Sequence, residues 1–130
     1  MITATNVSKR FDSLLAVDRV TATIQQGAVF GLIGSNGAGK STVLNLIAGV
    51  FPADSGSIEL DGVELTSLPE YRRASMLGRV FQDPMRGTAA DMTIEENLAL
   101  AYLRASHGSP FRRITPKDRE LFRSQLAQLD

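Results

Sequence analysis

Apolar and polar residues alternate over positions 2–11 and again over 14–25, where Val17, Val20, Ala22 and Ile24 carry the apolar side. This pattern predicts two half-exposed strands joined near Asp12-Ser13. Residues 28–33 (Ala-Val-Phe-Gly-Leu-Ile) form an unbroken apolar run instead, which predicts a core strand buried on both faces, as in a parallel sheet. From Lys40 the spacing turns helical, with Val43, Leu44, Ile47 and Ala48 on one stripe, Gly49 as the stop and Pro52 beyond it. Residues 57–65 read as a hairpin turning on Asp61-Gly62, because both turn positions tolerate positive φ. Residues 69–76 are expected to form a short helix, and 78–82 a short strand ended by Asp83-Pro84. Thr93 with Glu96 predicts a capping box and a helix to about Arg104. Thr115, Pro116 and Asp118 open a second helix to about Leu129, with 107–110 as the loop between them. The chain therefore divides into a β-rich part, 1–84, and the start of a helical part, 85–130.

Composition narrows the functional classes. With 130 residues, 43% hydrophobic and 22% charged, the sequence is that of a globular protein with enough apolar surface for a core. Fourteen basic residues balance fourteen acidic ones, so there is no net positive charge to drive counterion release, and nucleic acid is not an expected partner. The absence of cysteine excludes disulfides and thiolate chemistry. The first ten residues do not read as a secretory signal, and the most apolar stretch, 43–51, is far below the roughly 20 residues needed to span a bilayer.

The strongest chemical signal lies between the 28–33 run and the helix at Lys40. Gly34-Ser35-Asn36-Gly37-Ala38-Gly39-Lys40-Ser41 matches G-x-x-x-x-G-K-[ST] in the strand-to-helix setting that motif requires. Its glycines let successive N–H groups point inward, and the helix adds its positive dipole end, which together make a polyphosphate cradle. Lys40 is placed to reach the β- and γ-phosphates, Ser41 to put its hydroxyl on Mg²⁺ and Thr42 to meet the α-phosphate.

The loop as written, followed by Ser41-Thr42, resembles the Walker A segment of ATP-binding-cassette (ABC) ATPases. Lys9-Arg10-Phe11 lies 23 positions before Gly34, where that family carries an aromatic that stacks on adenine; Phe11 offers a π-face but no hydrogen bond. Gln82, in Val-Phe-Gln-Asp-Pro and 42 positions after Lys40, matches the family's Q-loop glutamine, whose amide oxygen meets Mg²⁺ and the attacking water. Asp54-Ser55-Gly56-Ser57-Ile58 with Leu60-Asp61-Gly62 resembles the strand and hairpin that follow the first helix in these proteins. The resemblance implies an α/β fold of P-loop NTPase type: a RecA-like core, an N-terminal antiparallel β-subdomain and the start of a helical subdomain, truncated. It places the nucleotide on Phe11, Gly34, Ser35, Asn36, Gly37, Ala38, Gly39, Lys40, Ser41 and Thr42. Lys40 and Gln82 become the catalytic candidates, and Ser41 and Gln82 the Mg²⁺ ligands.

Three family features do not occur in these 130 residues: an L-S-G-G-Q signature, an apolar strand ending in Asp-Glu, and a switch histidine. His107 reads as a loop residue, and Arg72-Arg73 and Arg112-Arg113 as solvated surface. The apolar stripe Ile94, Leu98, Ala101 and Tyr102 reads as core. The chain is thus expected to be the N-terminal half of a longer protein and not to hydrolyse ATP alone. By resemblance, the complete protein couples ATP binding and hydrolysis to transport, as a peripheral protein on the cytoplasmic face of the membrane. Its implied partners are a second ATPase subunit (identical or homologous), membrane-spanning permease subunits and a substrate-binding protein. The segments 81–85 and 92–97 look like a bacterial branch associated with amino-acid-type importers. A non-transport ABC ATPase of DNA repair or the ribosome, and another class of P-loop NTPase, share the same loop.

Overall fold

The computed structural model describes residues 1–105 and 113–128; His107 and Arg112 lie outside the described residues. Two compact units part after Arg73.

The first unit is built on a four-stranded antiparallel sheet. Strand β1 (Ile2–Phe11) is flanked by β2 (Leu14–Ile24) on one side and β3 (Ser55–Leu60) on the other, and the short β4 (Val63–Glu64) pairs with β3. The register runs from Ile2 opposite Ile24 to Phe11 opposite Leu14, and sets Ala4 opposite Ile58. Bulges interrupt β1 between Ala4 and Arg10, where Asn6 and Arg19 take left-handed φ values of 50° and 43°. The hairpin turns on Asp61 (φ 48°) and Gly62 (φ 80°), the two positive-φ positions expected from the sequence. Helix α1 (Lys40–Ala48) ends in a Schellman motif: Val50 N–H donates to Asn45 O at 3.0 Å and Gly49 N–H to Leu46 O at 3.3 Å, with Gly49 at φ 82°. Ala4, Val7, Val17, Leu46, Ile58 and Leu65 form the core. Leu46, not the predicted stripe, is the buried residue of α1, while Leu44 is exposed.

The expected core strand at 28–33 does not form. These residues have no regular structure, and Val29 and Ile33 are fully exposed, at 102% and 99%. Residues 78–82 are likewise not a strand, and Val80 is 97% exposed. A strand buried on both faces needs hydrogen-bonding neighbours on its edges. Among the described residues all four strands are engaged in the antiparallel sheet, so neither run finds a partner. An apolar cleft of about 370 Å³ opens between the sheet, residues 30–32 and α1, with Ile2, Ala22, Phe30 and Ile47 on its walls.

The first unit closes with α2 (Glu70–Arg73), a single turn within the short helix expected at 69–76. In the second unit a 3₁₀ turn (Pro84–Arg86) precedes α3 (Ile94–Ala105) and α4 (Pro116–Leu126). Both predicted capping boxes are present. Glu96 accepts from Thr93 N–H at 2.8 Å while Thr93 Oγ accepts from Glu96 N–H at 3.3 Å, and Thr115 and Asp118 exchange the same pair of bonds. Tyr102 packs edge-on to Phe122 with ring centroids 5.9 Å apart, beside buried Ala99. The apolar stripe of α3 is therefore core only in part: Tyr102 and Leu98 turn inward, whereas Ile94 and Ala101 are exposed.

Candidate functional site

The glycine-rich loop enters α1 through two left-handed residues, Gly37 (φ 84°) and Gly39 (φ 83°), with a turn closed by Ala38 N–H donating to Ser35 O at 3.2 Å. Gly39 is required twice over, since a Cβ there would stand 2.6 Å from the carbonyl oxygen of Ala16 on β2. Helix α1 begins with no side-chain cap and no acidic residue in its first turn. Its first N–H groups and its positive dipole end thus meet no anionic side chain of their own, the arrangement that suits an incoming phosphate. Lys40 Nζ donates to two loop carbonyls, Gly34 O at 2.8 Å and Ser35 O at 2.7 Å. The ammonium is thereby folded back over the concavity of the loop, held only by neutral acceptors that a phosphate oxygen outbids electrostatically. Ser41 is exposed and Thr42 half-buried on the same turn. Backbone curl, cation and hydroxyl together fit a Mg²⁺-polyphosphate group.

Phe11 lies at the end of β1, 40% exposed, and packs edge-on against Phe51, with centroids 5.1 Å apart and planes at 89°. Lys9 Nζ stands 5.6 Å from the Phe11 centroid and 5.9 Å from that of Phe51, and pairs with Asp54 at 2.7 Å. Asp54 also accepts from Arg10 N–H at 2.7 Å. These contacts, the Lys9 bond foremost, hold the Asp54 carboxyl below its usual value. The sequence reading missed Phe51 and Lys9 as supports of Phe11: Phe51 is brought up from the segment after α1 by the fold, and Lys9 reaches the ring from two positions back on β1.

Arg73 corrects the reading of Arg72-Arg73 as solvated surface. It is 2% exposed, and its guanidinium donates to Leu46 O at 2.7 Å, Ile47 O at 3.0 Å, Leu68 O at 2.8 Å and Thr66 O at 3.1 Å. Burial lowers its pKa, and the Glu64 carboxylate opposes that shift.

Gln82 belongs to the second unit, on an exposed bend. Behind it Asp83 caps the 3₁₀ turn by accepting from Met85 N–H at 3.0 Å, and before it the Arg79 guanidinium lies 4.6 Å from the Phe81 ring centroid.

Residues 17–130 match the family model described as ABC transporter. The chain is 42% identical over 106 residues to a tyrosine transport ATP-binding protein of Clostridioides difficile (strain R20291), covering 78% of this chain and 42% of that protein. It is 40% identical over 94 residues to a putrescine transport ATP-binding protein of Escherichia coli (strain K12), covering 72% of this chain and 24% of that protein. Among solved structures, a nucleotide-free ATP-binding cassette from an ABC transporter superposes with a TM-score of 0.73 at 28% identity, covering 98% of this chain and 52% of that one. A dimeric bacterial ABC transporter cassette shares the fold with a TM-score of 0.76 at 24% identity, covering 98% and 55%. The chain thus spans about half the length of these solved cassettes and less of the curated relatives.

Proposed function

The chain belongs to the ABC transporter family, and we propose that it forms the nucleotide-binding portion of a transport ATPase, with loop residues 34–42 cradling the phosphates of ATP. The observation that carries this reading is the Lys40 ammonium, poised on two main-chain carbonyls at the uncapped start of α1. Residues 1–84 make up the nucleotide-binding part and 85–130 the start of the helical part. The amides of the loop and α1 hold the phosphates, and Lys40 neutralises the terminal ones. Phe11, 40% exposed, offers its ring to the base. Ser41 would hold Mg²⁺, which would supply charge compensation on the phosphate oxygens; Gln82, the other ligand expected from the sequence, lies in the second unit. Hydrolysis belongs to the complete protein, since no carboxylate in these residues sits in the sequence setting of a general base.

The names of the relatives concern transport of tyrosine and putrescine, which favours transport over the repair and ribosome readings. The complete protein accordingly works with a second ATPase subunit and membrane-spanning permease subunits, which hold it at the cytoplasmic face of the membrane. No helix among the described residues is long and apolar enough to cross a membrane. A substrate-binding protein fits the import direction named for ribose, sulfate and methionine relatives. Lys40→Ala in the complete protein tests the assignment by equilibrium ATP binding with and without Mg²⁺. ATP retention is expected to be lost, and retention equal to wild type overturns the cradle.

A further inference from the structure

Helix α1 is seated at its two ends. At the N-terminal end, Gly39 lies against Ala16 so closely that no side chain fits between them. At the C-terminal end the carbonyls of the last turn meet no basic residue of the helix itself. Arg73 supplies that charge from outside: its Nη1 donates to Leu46 O and Ile47 O, while Nε and Nη2 donate to Leu68 O and Thr66 O in the segment that follows the β3–β4 hairpin. The guanidinium lies so close to Gly49 that a methyl there would meet Nε at 2.7 Å. Along its flank, by contrast, α1 borders the apolar cleft and Leu44 is exposed, so the side-chain packing of the helix rests chiefly on Leu46, and a polar clasp at its C-terminal turn adds a second fixed point. A nine-residue helix is a rod of about 13 Å, short and stiff enough that a displacement at Leu46 or Ile47 is delivered to Lys40 and Ser41 at the other end.

We propose that Arg73 is a positioning residue for phosphate binding: by clasping the C-terminal turn of α1 to the Thr66–Leu68 segment, it sets where the N-terminal turn presents Lys40, Ser41 and the loop amides. The inference rests on the nucleotide reading of loop 34–42. It acts through geometry, since all four hydrogen bonds of the guanidinium end on main-chain carbonyls. Only a planar fork of donors spans helix and hairpin at once; the single ammonium of lysine does not.

Linkage makes the idea measurable without removing the residue. If an intact clasp favours phosphate binding by some factor, then bound phosphate must favour the intact clasp by the same factor. In the complete wild-type protein, saturating inorganic pyrophosphate or MgATP is therefore expected to slow hydrogen exchange at Arg73 Nε–H roughly tenfold, read by ¹⁵N NMR. Arg73→Met should weaken pyrophosphate and ATP binding by the same roughly tenfold at a temperature where circular dichroism shows it folded, with Arg73→Lys in between. Unchanged Nε–H exchange on saturation, or full affinity in a folded Arg73→Met that has lost only thermal stability, reduces Arg73 to a stabilising residue and overturns the proposal. Should Arg73→Met not fold, wild-type exchange and Arg73→Lys affinity decide. Failure of the wild type to bind either ligand is a different result, which removes the nucleotide reading and this inference with it.

Discussion

The main chain of Gly39 faces that of Ala16 with no room for a methyl group, since a Cβ at position 39 would lie 2.6 Å from the Ala16 carbonyl oxygen. Gly37 has nearly the same left-handed backbone, φ 84°, but open space where its Cβ would be. Gly37→Ala should therefore cost only the left-handed strain, about 1 kcal/mol. Gly39→Ala adds a steric overlap with β2 and should cost about 2–4 kcal/mol. Denaturant midpoints of the two variants check the difference; equal losses would show that the loop has slack against β2.

The Lys9–Asp54 pair predicts an acid limb in stability. Asp54 has a folded-state pKa below its usual 3.8, so its contribution is fully present above that value and is lost as pH falls through the lower folded value. Asp54→Asn should flatten the fall in melting temperature below about pH 4 while leaving the neutral-pH profile parallel to wild type. A variant with the full acid limb would locate the titration elsewhere, for example at Glu64 or Glu96, which are also held low, each chiefly by hydrogen bonds from threonine.

Phe11 is 40% exposed and stands at 89° to the ring of Phe51. Phe11→Ala is expected to weaken ATP binding roughly five- to tenfold, about 1 kcal/mol or slightly more, and to leave inorganic pyrophosphate affinity unchanged. Phe51→Ala should reproduce part of the ATP loss by releasing the ring. Titration of both ligands against each variant separates base stacking from phosphate binding; a parallel loss for pyrophosphate would place Phe11 in the loop's support.

Local chemistry was readable from the sequence where one short segment contains all its parts. The turn at Asp61-Gly62 needs only two residues that tolerate positive φ, and the Thr93/Glu96 and Thr115/Asp118 boxes need only a spacing of three, and all three occur as expected. The glycine loop was readable for the same reason. What escaped depends on partners distant in sequence. Arg73 looks like any arginine in a surface pair until the chain returns it to Leu46 and Ile47, 27 and 26 positions away. The support of Phe11 by Phe51 brings together residues far apart in the chain, which no periodicity encodes, whereas Lys9, two positions before Phe11 on β1, shares its face by strand alternation. Residues 28–33 show the converse: the apolar run states a preference for burial, but a strand exists only where an edge is offered to it.

That preference yields the last prediction. Val29, Ile33 and Val80 are exposed at 102%, 99% and 97%, although each lies in a stretch with strand composition. We propose that in the complete protein these stretches pair in a parallel sheet with segments outside the 130 residues, which span about half of the solved cassettes. Ile33→Asp would then place a carboxylate in a buried sheet, and should lower the stability of the complete protein by about 3 kcal/mol or more or leave it insoluble. In a polypeptide of residues 1–130 the same substitution touches only solvent and should shift stability by no more than about 0.5 kcal/mol. Leu14→Asp, at an exposed position on the outer strand β2, serves as the control that should be mild in both. Thermal melts of the wild type and the two variants in both lengths decide the matter. Equal tolerance of Ile33→Asp in the complete protein would mean that residues 28–33 stay at the surface and that the cleft beside α1 is lined from elsewhere.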